Sequence, residues 1–308
     1  MPNVVQKIRN RSFSPDVTGA LWLLGAVVLF QISYTSVKLV SQNLASVQIV
    51  FLRGLLQTAL VLPFIFKAGI GVLKTRQYKN YACRLIFGVI NIVLTFYVYG
   101  KLPLAVATSI VFTRPLFMIP LAIILLKEYI GWKKGIAALL GFAGVLIILK
   151  PKPTGLNMAE TAAVFAAFFL ALTYIYIQKL SRTESHAAML FYFGLACCVL
   201  TAYPACRVWK PLETADLAGV FVMAVSAAAA QYCIIRGYQA GTATVISPID
   251  YLQIPLSVLI GHFLFHETLS LHFLSGVAII IATSVYILRC GTQKKTICAG
   301  NSTKEAFK

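Results

Sequence analysis

The sequence predicts an all-α polytopic membrane protein of ten transmembrane helices, arranged as two inverted five-helix repeats. Three observations carry that expectation. Apolar residues make up 59% of the 308 positions and charged residues only 12%, and a soluble fold of this size could not hide so much apolar side chain. The apolar residues gather in ten segments, each near the ~20 residues that a helix needs to cross the hydrocarbon core. A shift of 139 residues lays the first five segments on the last five, carrying Tyr99 onto Tyr238 and Glu128 onto Glu267. Backbone groups in lipid must be bonded within their own segment, which makes these segments helices rather than strands.

Taken in order, residues 1–16 are polar and basic and form an N-terminal tail. The segment after them, 17–37, lacks a convincing small-residue cleavage site and reads as a retained first helix, not a removed signal peptide. Segment 44–66 carries Arg53, and the loop after it, to Asn80, is the longest internal one and too small for a domain. Segment 81–99 ends in Phe96, Tyr97 and Tyr99. Segment 103–126 holds Arg114, Pro115 and Pro120 and closes on Lys127-Glu128. Segment 131–149 has the small-residue spacing of closely packed helices at Gly131/Gly135 and Ala137/Gly141, with Gly144 close by. The second half runs through 156–177 with Tyr174 and Tyr176, then 187–206, then 216–235 with Tyr232. Segment 242–265 holds Pro248, Asp250, Tyr251, Gln253 and Pro255 and closes on His266-Glu267, and 270–288 completes the set. Residues 17–150 and 156–289 are therefore the two repeats, and 290–308 is a polar C-terminal tail expected to be disordered.

Charge placement sets the orientation. With the N-terminus in the cytoplasm, nineteen of the 27 Lys and Arg residues fall on the cytoplasmic side and six on the other: Lys38, Lys101, Lys150, Lys152, Arg207 and Lys210. Arg53 and Arg114 lie inside helices. Such a bias is a positive-inside signal that places both termini in the cytoplasm. Five helices per repeat start the second half on the opposite side from the first, so the repeats are inverted. The net charge of +18 is accounted for by topology signals and anionic lipid headgroups in short loops and tails. No aromatic-basic surface is left outside the bilayer for nucleic acid.

Function is expected where polar groups are forced into lipid. A charge near the bilayer centre is costly, and such residues face a cavity or a partner. Arg114 and Asp250 are the first candidates. The 139-residue shift puts Arg114 over Gln253 and Asp250 over Val111, and positions three apart share a helix face. The pair is open to two readings: a solute contact near the midplane, or an ion pair that only holds the bundle. Arg53 lies nearer one end of its helix, where snorkelling or a structural bond competes with solute contact. Tyr97, Tyr174, Tyr232 and Tyr251 are candidates to stack on a planar ring or sit over a cation, with packing as the alternative, while Tyr99 and Tyr238 read as interfacial belt residues. The prolines of segments four and nine free backbone carbonyls that can line a cavity, or merely kink the helix. A duplicated unit with polar groups in its fourth segment is the pattern of a carrier.

Other classes find little support. The seven cysteines are odd in number, form no CxxC pair and fall mostly in apolar segments, as small buried residues do. His262, His266 and Glu267 stand at a helix end, and no metal site or cofactor is expected from them. They are also the only group that would serve an integral-membrane enzyme acting on lipid-linked substrates, so no enzyme is expected. A scaffold or receptor would leave the repeat and the buried charges unexplained.

The run Leu104-Ala-Val-Ala-Thr-Ser-Ile-Val-Phe-Thr-Arg-Pro-Leu-Phe resembles the EamA-type drug/metabolite transporters, as do Lys127-Glu128, Trp132, Gly141-Phe-Ala-Gly144 and Lys150-Pro151. The second half agrees in Ser247-Pro-Ile-Asp-Tyr-Leu, Gly261, Phe265-His-Glu267 and Gly276. The resemblance covers residues 17–290 and implies ten helices, an inner-membrane location, cytoplasmic termini and alternating access through a central cavity. It looks nearest to a branch that includes S-adenosylmethionine uptake carriers, with riboflavin carriers and amino-acid exporters as neighbours. It implies no fixed role for Arg114. A zwitterionic aromatic solute would suit the residues: a carboxylate for Arg114, a cationic end for Asp250 or a tyrosine face, and a ring to stack. A coupling proton or ion, with Asp250 as the group it uses, and passive exchange are both compatible with the sequence, and one chain holding both halves is compatible with a monomer.

Overall fold

The computed structural model describes residues 15–75, 77–126, 132–149, 157–180, 184–240, 247–267, 270–283 and 285–286. Residues 1–14 of the expected N-terminal tail, the expected C-terminal tail with Cys290 and Cys298, Lys127-Glu128, Gly131 and Lys150-Pro151 lie outside the described residues, while Pro15 and Asp16, expected in the tail, are helical. The first half contributes α1 (Pro15–Val40), α2 (Ser46–Ala68), α3 (Tyr78–Lys101), α4 (Leu104–Val111), α5 (Arg114–Leu126) and α6 (Trp132–Leu149). The second contributes α7 (Met158–Leu180), α8 (His186–Arg207), α9 (Thr214–Ala240), a 3-10 turn (Ser247–Leu252) and α10 (Gln253–Phe265), followed by α11 (Leu271–Thr283). Among the described residues there is no strand.

Local chemistry explains several boundaries. α7 opens on a reciprocal cap: the Glu160 N–H donates to Asn157 Oδ1 at 2.8 Å and the Asn157 N–H to Glu160 Oε2 at 2.9 Å. Ser185 caps α8 by accepting from the Ala188 N–H at 3.1 Å. α3 stops at Leu102 because Pro103 follows, and Pro103 then stands at the N-cap of α4.

Six described helices (α1, α2, α3, α7, α8 and α9) are long and apolar enough to cross a membrane, and α4–α5, α6, α10 and α11 supply shorter apolar stretches. Their outward side chains are apolar: Ile124, Leu139 and Leu271 are 70%, 71% and 83% exposed. Lipid can cover such a surface at no desolvation cost. α1 packs along α9, α2 along α8 and α3 along α7. Replacing each helix by its mate at the 139-residue shift turns α1·α9 into α7·α3 and leaves α2·α8 unchanged. The halves therefore meet with twofold symmetry of contacts, with α2·α8 at the centre. There the backbones touch through glycines: a Cβ on Gly54 would lie 2.8 Å from the Gly194 carbonyl, and one on Gly194 would lie 3.2 Å from the Gly54 carbonyl.

The fourth segment departs from the expected single helix over 103–126. It breaks at Phe112-Thr113 into α4 and α5, where Thr113 and Leu116 make short-range bonds to Ile110 O and Thr113 O. Pro115 has no N–H for the Val111 carbonyl, so the ladder cannot continue. Its mate behaves likewise: α10 begins at Gln253, which is Arg114 plus 139, after a turn containing Pro248.

Arg84 sits inside α3, buried, with Nη1 donating to Met189 O at 3.1 Å. One placement is corrected. Tyr99 is no belt residue: it is fully buried and stacks on Tyr34 at 4.4 Å.

Candidate functional site

A cavity of about 60 Å³ lies between the halves, walled by Phe30, Ser33 and Tyr34 of α1, Arg53 of α2, Asn91, Ile92, Thr95 and Phe96 of α3, Val111 of α4, Leu170 of α7 and Ala227 of α9. Its polar groups come from three helices of the first repeat. Ser33 Oγ donates to Met223 O at 3.1 Å, and Thr95 Oγ1 donates to Asn91 Oδ1 at 3.2 Å. Tyr34 is sandwiched between Phe30 at 5.9 Å and Tyr99 at 4.4 Å, nearly parallel to both. Tyr99 Oη lies 3.3 Å from Thr108 Oγ1, which fixes the ring edge to α4.

The break in segment four places Arg114 at the first residue of α5. Its guanidinium sits 3.7 Å from Asp250 Oδ2, so the two charges expected to meet do meet. The same guanidinium lies 4.4 Å from the centre of the Tyr174 ring and 5.6 Å from that of Phe112, within cation–π range. Phe112 in turn packs on Tyr251, which is buried, at 5.9 Å. Gln253 is buried one turn beyond Asp250. Of the expected site residues Arg53 lines the cavity, whereas Arg114, Asp250, Tyr174, Tyr251 and Gln253 do not; Val111, three residues before Arg114, forms part of its wall.

Arg53 does not snorkel. It is 5% exposed, lies 5.7 Å from the Phe96 ring centre and lines the cavity. Two candidates stand apart. Tyr232 is 55% exposed and meets Trp22 edge-on at 6.1 Å, away from the cavity. Tyr97 is half-buried against the main apolar core and does not line the cavity. Glu267 is committed elsewhere: its carboxylate pairs with Lys38 Nζ and accepts from the Leu104 N–H at 2.9 and 3.0 Å.

Sequence reasoning missed Ser33, Tyr34, Asn91 and Thr95. A signal was present for the last two: Asn91, Thr95 and Tyr99 recur every four residues in an apolar segment and share one helix face. Tyr34 had no comparable signal, because its position depends on how α1 meets α3.

An all-helical duplicated bundle with ionised side chains held between its halves defines a membrane carrier. The chain matches the EamA-like transporter family over residues 17–150 and again over 157–289, and it belongs to that family. It is a transporter of small molecules in a membrane, not an enzyme. It is similar to an S-adenosylmethionine uptake transporter of Rickettsia conorii, 28% identical over 284 residues, covering 91% of this chain and 95% of the relative. It is also similar to one of Rickettsia bellii, 29% identical over 275 residues, covering 88% and 93%. A riboflavin transporter of Vibrio cholerae is 28% identical over 284 residues, covering 90% and 94%. A protein crystal structure shares the fold with a TM-score of 0.60 at 17% identity, covering 90% of this chain and 97% of that one.

Proposed function

We propose that the protein carries S-adenosylmethionine, or a solute of similar zwitterionic and aromatic chemistry, across the bacterial inner membrane by alternating access. The observation that carries the reading is the Arg114–Asp250 pair under Tyr174, with an aromatic cavity between the halves walled in part by Val111, three residues before Arg114. Asp250 meets a cationic group, the tyrosine and phenylalanine faces take a planar ring, and Tyr251 and Gln253 shape the second repeat's side of the site. Relatives named for S-adenosylmethionine uptake support the choice of solute.

At about 60 Å³ the cavity is well below the ~300 Å³ of a small ligand site. Solute therefore enters only when the halves move apart. The moving bodies are ten spans in two inverted repeats, 17–150 and 156–289, with both tails in the cytoplasm. A single chain suffices, and a proton or ion gradient acting on Asp250 can drive the cycle.

The test is uptake of labelled S-adenosylmethionine into vesicles containing only this protein, with riboflavin and amino acids as competitors. Saturable uptake blocked by excess unlabelled S-adenosylmethionine is expected. Uptake of riboflavin with indifference to S-adenosylmethionine would replace the solute, and no uptake of any would sink the reading.

A further inference from the structure

The interior charges do not balance. Arg53, Arg84 and Arg114 are held inside the bundle; Arg84 donates to Met189 O, and Asp250 pairs with Arg114. Arg114 is matched by Asp250 and by two aromatic faces. Arg53 is not matched: Nε and Nη1 are buried without a hydrogen-bond partner, and neither ion pair among the described residues involves it. The Phe96 ring, 5.7 Å from its guanidinium carbon, is a neutral neighbour. A guanidinium cannot shed its proton to escape this, and its five donors form a planar fork suited to a carboxylate. Burial at 5% exposure also rules out relief by reaching an interface.

Arg53 is also part of the cavity wall, where Asn91 and Thr95 add polar groups and Phe30, Tyr34 and Phe96 add ring faces. We infer that Arg53 is the anion subsite of the carrier: it takes the solute's carboxylate in a bidentate contact, while Arg114 serves as the counter-ion of Asp250. This rests on the solute reading above and reverses the assignment suggested by the sequence, in which Arg114 receives the carboxylate. It also narrows the class of solute. A carboxylate must lie within reach of a planar group, so that the anion sits on Arg53 while the ring lies against Tyr34 or Phe96.

The experiment is equilibrium binding to the purified protein of S-adenosylmethionine and of decarboxylated S-adenosylmethionine, which differ only in the carboxylate. Wild type is expected to prefer the carboxylated form by about tenfold or more, as charge-assisted bidentate contacts do. Arg53→Gln is expected to bind the two forms equally, and Arg114→Gln to keep the preference. Preference retained in Arg53→Gln, or lost in Arg114→Gln but not in Arg53→Gln, would overturn the inference. A second measurement does not depend on the solute: without ligand, Arg53→Met is expected to melt at a higher temperature than wild type, because an unpaired buried charge is gone. If wild type binds neither compound, the solute reading fails, and the melting result decides alone. A lower melting temperature in Arg53→Met would mean that the guanidinium serves the fold and not a solute.

Discussion

Arg53 and Arg114 differ in what surrounds them, and the difference sets their expected mutational behaviour. Arg114 and Asp250 stabilise each other across the repeat boundary at 3.7 Å. Losing one partner of a fully buried pair costs about 3–5 kcal/mol. These side chains are 22% and 16% exposed, and solvent screening reduces the loss to about 1–3 kcal/mol. Arg114→Gln and Asp250→Asn are each expected to abolish uptake while the protein still reaches the membrane. The double variant is expected to regain thermal stability over either single one, because no lone charge remains, yet still not transport. Near-normal uptake by both single variants would show that the pair lies outside the transport site. The 139-residue shift and the three-residue spacing put these residues on mated helix faces, so their meeting was legible on the condition that those faces turn inward. Tyr232 was not placeable in this way, since apolar composition leaves open which face of α9 turns to lipid, and the structure turns that ring outward.

At the scale of elements, one end of the bundle is tied by a short motif. His266 adopts a left-handed backbone, φ 52°, and the Glu267 N–H donates to Gly261 O at 3.0 Å, turning the carboxylate back over α10. Gly261 permits the return: a Cβ there would lie 2.5 Å from Glu267 Oε2. The carboxylate then sits at the N-terminus of α4, where free N–H groups and the helix dipole favour an anion. Lys38 closes the contact from α1 and donates to Leu102 O at 3.1 Å. Glu267 thus joins α1, α4 and α10, elements of both repeats. Glu267→Gln still accepts from Leu104 and is expected to lower the melting temperature modestly. Glu267→Ala loses both the cap and the pair and is expected to cost about 1–3 kcal/mol. Equal melting of wild type and Glu267→Ala would show that the contact does not hold this end closed. The motif's residues were visible in the sequence, but its role was not, because the partners Lys38 and Leu104 lie 229 and 163 residues away. Similarly, four prolines signalled irregularity in segments four and nine, but not that Pro115 would divide the first of these into separate helices.

At the scale of the molecule, the two halves are related by an exchange of contacts. The contacts between halves exchange under the 139-residue shift, α1·α9 with α7·α3 and α2·α8 with itself. That is the behaviour of a twofold axis, and in the proposed inverted arrangement the axis lies in the membrane plane, so that one arrangement of the halves mirrors the other. Residues related by the shift then belong on opposite sides of the bilayer. Lys74 and Glu213 are such mates, and both are exposed outside the spanning stretches. In a cysteine-free background, Glu213→Cys is expected to react with a membrane-impermeant thiol reagent applied to intact cells from outside, whereas Lys74→Cys reacts only after permeabilisation. Parallel repeats would put both thiols on one side, and a single labelling pattern for the two would leave no mirrored state through which the halves could hand a solute across.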